Sequence, residues 1–194
     1  MVLPQDRLDY YKKNFEQQLK LLVISIKGYK ALKAAKTPEL SKQANRLWEL
    51  SQRYRLVKGA NQSATFALLS VCREVYQSLQ DNILTLDYEL VQISAQVTDF
   101  ENKCLELQKE QNQTRTSAAL TEIRNFLEEL LKLLQNQVKY LELHLRQLQP
   151  KFMAPESSLE SFKSDLELSE YAEAKISLGL AKLERFSSLP LNLL

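Results

Sequence analysis

Hydrophobic positions recur at spacings of three and four along most of the chain, the interval that brings side chains onto one face of an α-helix. The clearest run is Leu69, Cys72, Tyr76, Leu79, Ile83, Leu86, Leu90, Ile93, Val97, Phe100, Cys104 and Leu107, in which threes and fours alternate without a miss. An unbroken heptad pattern of this kind predicts a coiled-coil seam between supercoiled helices. It places one long helix over about 63–112, which at ~1.5 Å per residue is about 75 Å long. Leu68, Val75, Leu84, Val91 and Leu105 widen the stripe, so this helix is expected to pack against more than one neighbour.

The remaining elements follow from stripes and caps. Leu8, Tyr11, Phe15, Leu19, Leu22, Ile26 and Tyr29 predict a first helix over about 5–36. Lys33 and Lys36 fall on that same face and end the stripe, and Thr37-Pro38-Glu39 is a helix-start signature: a capping hydroxyl, a proline pre-set for the first turn, and an acid at the positive end. A second helix is therefore expected over about 38–57, carrying Leu40, Leu47, Leu50, Tyr54 and Val57. Gly59 then reads as a C-terminal glycine and Asn61 or Ser63 as the cap of the long helix. Ser117 and the residues before it cap a helix over about 116–149, ended by Pro150, whose stripe takes two consecutive four-residue steps around Leu127 and Leu131. Pro155 with the capping-box spacing Ser157 to Glu160 starts a last helix over about 156–186, weakened by Ser169 and Gly179 and followed by a short tail at 187–194. The expectation is an all-α, elongated antiparallel helical bundle or coiled coil over 1–150, joined to a C-terminal helix over 151–194.

Composition sharpens this picture. Only 3 glycines occur in 194 residues, and hairpin turns and phosphate-cradling loops both need glycine, so sheet-rich folds and nucleotide-binding enzymes are disfavoured. No apolar run reaches the ~20 residues of a membrane span, and the first residues show no secretory leader, so a soluble, intracellular chain is expected, cytoplasmic rather than nuclear. The net charge of +2 is unevenly spread: +8 over residues 1–58, −5 over 59–112, +2 over 113–151 and −3 over 152–194.

Candidate chemistry is sparse. His144 is the single histidine; without a partner nucleophile or acid in its neighbourhood of sequence it reads as structural rather than as a general base. Cys72 and Cys104 lie 32 residues apart on one helix, which at ~1.5 Å per residue is about 48 Å, so they cannot share a metal or pair within that helix. They read as core thiols. The acidic pair Glu128-Glu129 has no metal-binding spacing around it, and no phosphate-binding glycine loop, His-Glu-x-x-His motif or nucleophile elbow occurs. No enzyme activity, catalytic residue, metal, cofactor or small-molecule substrate is expected.

One surface feature stands out. On a helical wheel Lys12, Lys13, Lys20, Lys27 and Lys30 share an arc of about 100° beside the apolar stripe of the first helix. Such a strip either faces the acidic 59–112 helix and solvates a bundle edge, or docks an anionic membrane or an acidic partner. Nucleic acid is an unfavoured partner, because the neighbouring Tyr11 and Tyr29 belong to the apolar stripe.

The succession over residues 8–150 of a helix broken at Thr37-Pro38, a long heptad helix and a third antiparallel helix resembles the arrangement of BAR domains. That resemblance implies a crescent-shaped dimer at membrane surfaces. It departs from the family in its acidic long helix and its short length. The principal functional expectation is a non-catalytic scaffold or adaptor subunit of an intracellular complex, cytoskeletal among others, binding other helical proteins or a second copy through coiled-coil contacts.

Overall fold

The structure, a computed structural model, describes residues 4–111 and 117–188. The fold is an all-α helical bundle, with no strand among the described residues. Its elements are α1 (Gln5–Val57), α2 (Gln62–Gln111), α3 (Ala118–Gln147), a single 3₁₀ turn (Pro150–Phe152), α4 (Glu156–Leu166) and α5 (Glu170–Ser188).

The expected break at Thr37-Pro38 does not form: α1 runs for 53 residues with Pro38 inside it. Thr37 does not cap anything. Its hydroxyl donates back to the Lys33 carbonyl at 2.9 Å, as a mid-helix threonine does. Pro38 removes the hydrogen bond to the carbonyl of Ala34, but Ala34 and Pro38 are both exposed, so water can take the place of the missing donor. The buried face meanwhile continues past the proline as Lys33, Leu40, Ala44 and Leu47. The lysines that interrupt the stripe are accommodated there: Lys33 is buried and the Lys36 ammonium donates to Asn82 Oδ1 at 2.7 Å. Of the three features that resemble BAR domains, the interruption at Thr37-Pro38 is absent, while the long helix α2 and the third helix α3 are present.

Other ends form as the caps dictate. Gly59 adopts the left-handed conformation at φ 87°, and the Asn61 side chain accepts from the backbone of Ala64 at 3.0 Å to open α2. Ser117 accepts from Leu120 at the start of α3. The last expected helix, by contrast, divides. Pro155 precedes α4 with no side-chain cap, and Ser157 lies inside the first turn instead of closing a capping box. Glu167 is extended, at φ −101° and ψ 148°, and Ser169 accepts from Ala172 at 3.2 Å as the cap of α5. The carbonyls that α4 leaves open are bridged by Gln137, whose amide donates to Asp165 O and Glu167 O. The tail beyond residue 188 lies outside the described residues.

Helical segments cluster into two compact units. The first takes its described residues from 4–29, 89–111, 117–133 and 169–188. Its core joins Tyr11, Phe15, Leu19 and Ile26 of α1 to Leu90, Ile93, Val97 and Phe100 of α2, Leu120, Ile123 and Leu127 of α3, and Ile176 and Leu183 of α5, all buried. Phe15 meets Phe100 edge-on at 5.5 Å between ring centroids. The second unit takes residues 30–88 and 134–168. Leu40 and Leu47 pack there with Leu79, Ile83 and Leu86, with Val138, Leu141 and Leu145, and with Leu159 and Phe162 of α4.

Candidate docking surfaces

The α2 seam is internal to each unit. Leu90, Ile93, Val97, Phe100, Cys104 and Leu107 are buried in the first, and Cys72, Leu79, Ile83 and Leu86 in the second, where Leu69 and Tyr76 are half-buried. Both cysteines are free and buried. Burial pushes the Cys104 thiol up to about 12 and raises that of Cys72, so each stays protonated at neutral pH and is a poor nucleophile or metal ligand. No cluster of three or more metal-ligating side chains occurs among the described residues.

His144 has a partner that lies far off in sequence. Its Nδ1 faces Asp165 Oδ2 at 2.5 Å, in the last turn of α3 and near the end of α4, with both side chains only partly exposed. Together with Gln137 this contact ties α4 to α3. The spacing of 21 residues follows no local motif, and only the turn at 150–155 brings the two helices together.

The lysines of the first helix separate into two groups. Lys13, Lys20 and Lys27 are exposed, whereas Lys12 and Lys30 are half-buried. Lys27 pairs with Glu184 of α5. The exposed three are spaced by seven and run beside a second stripe on the outer face of α1: Tyr10, Asn14, Gln17, Leu21, Ile24 and Gly28, again at threes and fours. Tyr10, Leu21 and Ile24 are 48%, 49% and 66% exposed, and a Cβ on Gly28 would meet nothing within 4 Å. In heptad terms the lysines occupy the position flanking this outer seam. The sequence carries this signal openly, but the stronger inner stripe of the same helix masks it.

No family model, curated protein or solved structure matches this chain.

Two further surfaces expose apolar side chains. Between α3 and α5 in the first unit, an apolar groove of about 250 Å³ is lined by Ile123, Phe126, Leu178, Leu183 and Phe186, and the ion pairs Glu122–Lys182 and Glu129–Lys175 also bound it. The Phe126 ring lies on Gly179, where a side chain would collide with it. Gly179 therefore makes a seat for an aromatic ring rather than a weak point in α5. In the second unit the 150–154 segment is held by its ends: Pro150 and Ala154 are buried, and the Ala154 carbonyl accepts from Trp48 Nε1 at 3.3 Å and Gln52 Nε2 at 3.2 Å. Met153 between them is left-handed at φ 47°, a conformation that costs a non-glycine residue energy. Phe152 and Met153 stand 57% and 43% exposed. No helix among the described residues is long and apolar enough to cross a membrane.

Proposed function

We propose that this chain is a non-catalytic helical adaptor or scaffold subunit that receives a partner helix along the outer face of α1. One observation carries the reading: once the inner seam of α1 is buried, Tyr10, Leu21 and Ile24 stay exposed on a second heptad frame, whose other places hold Asn14, Gln17 and Gly28. A lone exposed leucine is ordinary, but several apolar side chains on one heptad frame, flanked by charge, suit a helix-in-groove contact. The partner's chemistry follows from the flank. Lys13 and Lys20, which face no carboxylate at ion-pair distance among the described residues, call for acidic side chains every seventh residue on the docking helix.

Site-specific photocrosslinking tests this. A photoreactive residue in place of Leu21 is expected to capture a helical segment with Glu or Asp at heptad intervals, from another protein or a second copy. The same group at exposed Lys42 in the second unit serves as the control. Equal, diffuse labelling from both positions would refute the outer seam.

A further inference from the structure

Two segments with no acidic residue meet at one end of the second unit. Between Glu49 and Glu74 the chain carries Arg53, Arg55, Lys58 and Arg73, and between Glu142 and Glu156 it carries Arg146 and Lys151; neither stretch holds an Asp or Glu. The structure brings them together: Arg73, Leu69 and Tyr76 of α2 share a cavity of about 300 Å³ with Pro150 and Lys151, and Trp48 and Gln52 of α1 hold Ala154. The same end exposes large apolar side chains from three separate stretches, Leu56 at 80%, Phe66 at 64%, Phe152 at 57% and Met153 at 43%. Two of the cations lie over aromatic rings, Lys58 over Tyr54 and Lys151 over Phe152.

We propose that this end of the second unit is a docking tip for an anionic phospholipid surface, with Phe152 and Met153 entering the interface and Lys151, Arg73 and their neighbours meeting the headgroups. Four features favour a lipid surface over a protein groove. The apolar side chains share no helical periodicity, so they do not form a seam for a partner helix. Aromatic and apolar tips among cations are the composition of the bilayer interface, where rings sit at headgroup depth and bases meet anionic lipids. The charge of the two segments is entirely positive. Finally, the left-handed Met153 and the double anchor on Ala154 hold the apolar pair outward, so little ordering remains to be done on docking.

Trp48, the only tryptophan, is a built-in reporter next to the loop. The full chain is mixed with vesicles of phosphatidylcholine and phosphatidylserine in equal parts, and with pure phosphatidylcholine vesicles. Co-sedimentation with the mixed vesicles alone is expected, weakening as salt rises and screens the attraction, together with a blue shift of Trp48 emission and its quenching by brominated lipid. Phe152→Ser with Met153→Ser is expected to weaken binding by about tenfold or more, and Lys151→Glu with Arg73→Glu to abolish the preference for phosphatidylserine, with circular dichroism unchanged in both. Leu21→Glu, which disrupts the outer seam of α1, is expected to leave vesicle binding intact, so failure of the adaptor reading and failure of this one are distinguishable. Absence of vesicle binding, or binding that ignores the Phe152 and Met153 changes and leaves Trp48 emission unmoved, would overturn the proposal.

Discussion

At Gly179 the absence of a side chain has a structural role. The Phe126 ring occupies the space a Cβ would take, so Gly179→Ala must push the ring toward the α3–α5 groove. A loss of about 1–3 kcal/mol in chemical denaturation is expected, the usual cost of overpacking. In the background of Phe126→Ala most of that loss should vanish, because the two positions share one volume. Additive losses would show that the ring does not rest there. A second consequence at this scale concerns alkaline pH. Burial raises Cys72 from its ordinary value of 9.0 and Cys104 to about 12; burial and the Glu110 carboxylate raise Tyr11 from 10.0 to about 12. Above pH 9, and further above pH 10, the unfolded chain gives up these protons while the folded chain keeps them. The unfolded state then binds fewer protons, so stability falls as pH rises. Thermal midpoints measured between about pH 8 and pH 11 should decline through this window; a flat profile would contradict the burial of these groups.

Among the helices, most ends were legible from residues alone because caps are local. Gly59 and Asn61 hand α1 over to α2, and Ser117 opens α3, each through bonds within three or four residues. What local reading missed was settled by packing at long range. Pro38 with its neighbouring threonine and glutamate has every mark of a helix start, but the buried face on either side outweighs the lost hydrogen bond, and Asn82 on α2 takes up the lysine that had signalled the end of the stripe. At the division between α4 and α5 Ser169 supplies a local cap, whereas the open Asp165 carbonyl is taken by Gln137, 28 residues before it. In α3 Leu130 is the buried residue and Leu131 only half-buried, so the consecutive four-residue steps fall at Leu130, Leu134 and Val138 instead. The continuity of α1 has a direct test. Pro38→Ala should raise stability by about 1–3 kcal/mol, since it restores an interior hydrogen bond and relieves the ring's clash with the preceding turn. A neutral or destabilising effect would favour a helix that starts at Pro38.

For the molecule as a whole, the heptads were legible and their assignment was not. The α2 pattern requires apolar neighbours but cannot say whether they come from the same chain. The structure fills that seam from within, using α1, α3 and α5 in the first unit and α1, α3 and α4 in the second. The charged and apolar features left over are then surface features: the outer seam of α1 with Lys13, Lys20 and Lys27, and the basic, apolar tip around Phe152 and Met153. The lysines of the first stood out in the sequence, but the apolar positions beside them and the tip did not. The first lies beneath a stronger stripe, and the second is assembled from segments about 80 residues apart.

Everything proposed for these surfaces depends on the seam being filled by the chain itself. The thermal midpoint of the isolated chain, followed by circular dichroism over about a hundredfold range of protein concentration, tests this most directly. A bundle closed within one chain melts cooperatively at a midpoint that does not move with concentration. A midpoint that climbs steadily with concentration in Leu21→Glu, where the outer seam of α1 is disrupted, as it does in the unaltered chain, would mean that a second chain completes the core, and would contradict the intrachain packing of α2.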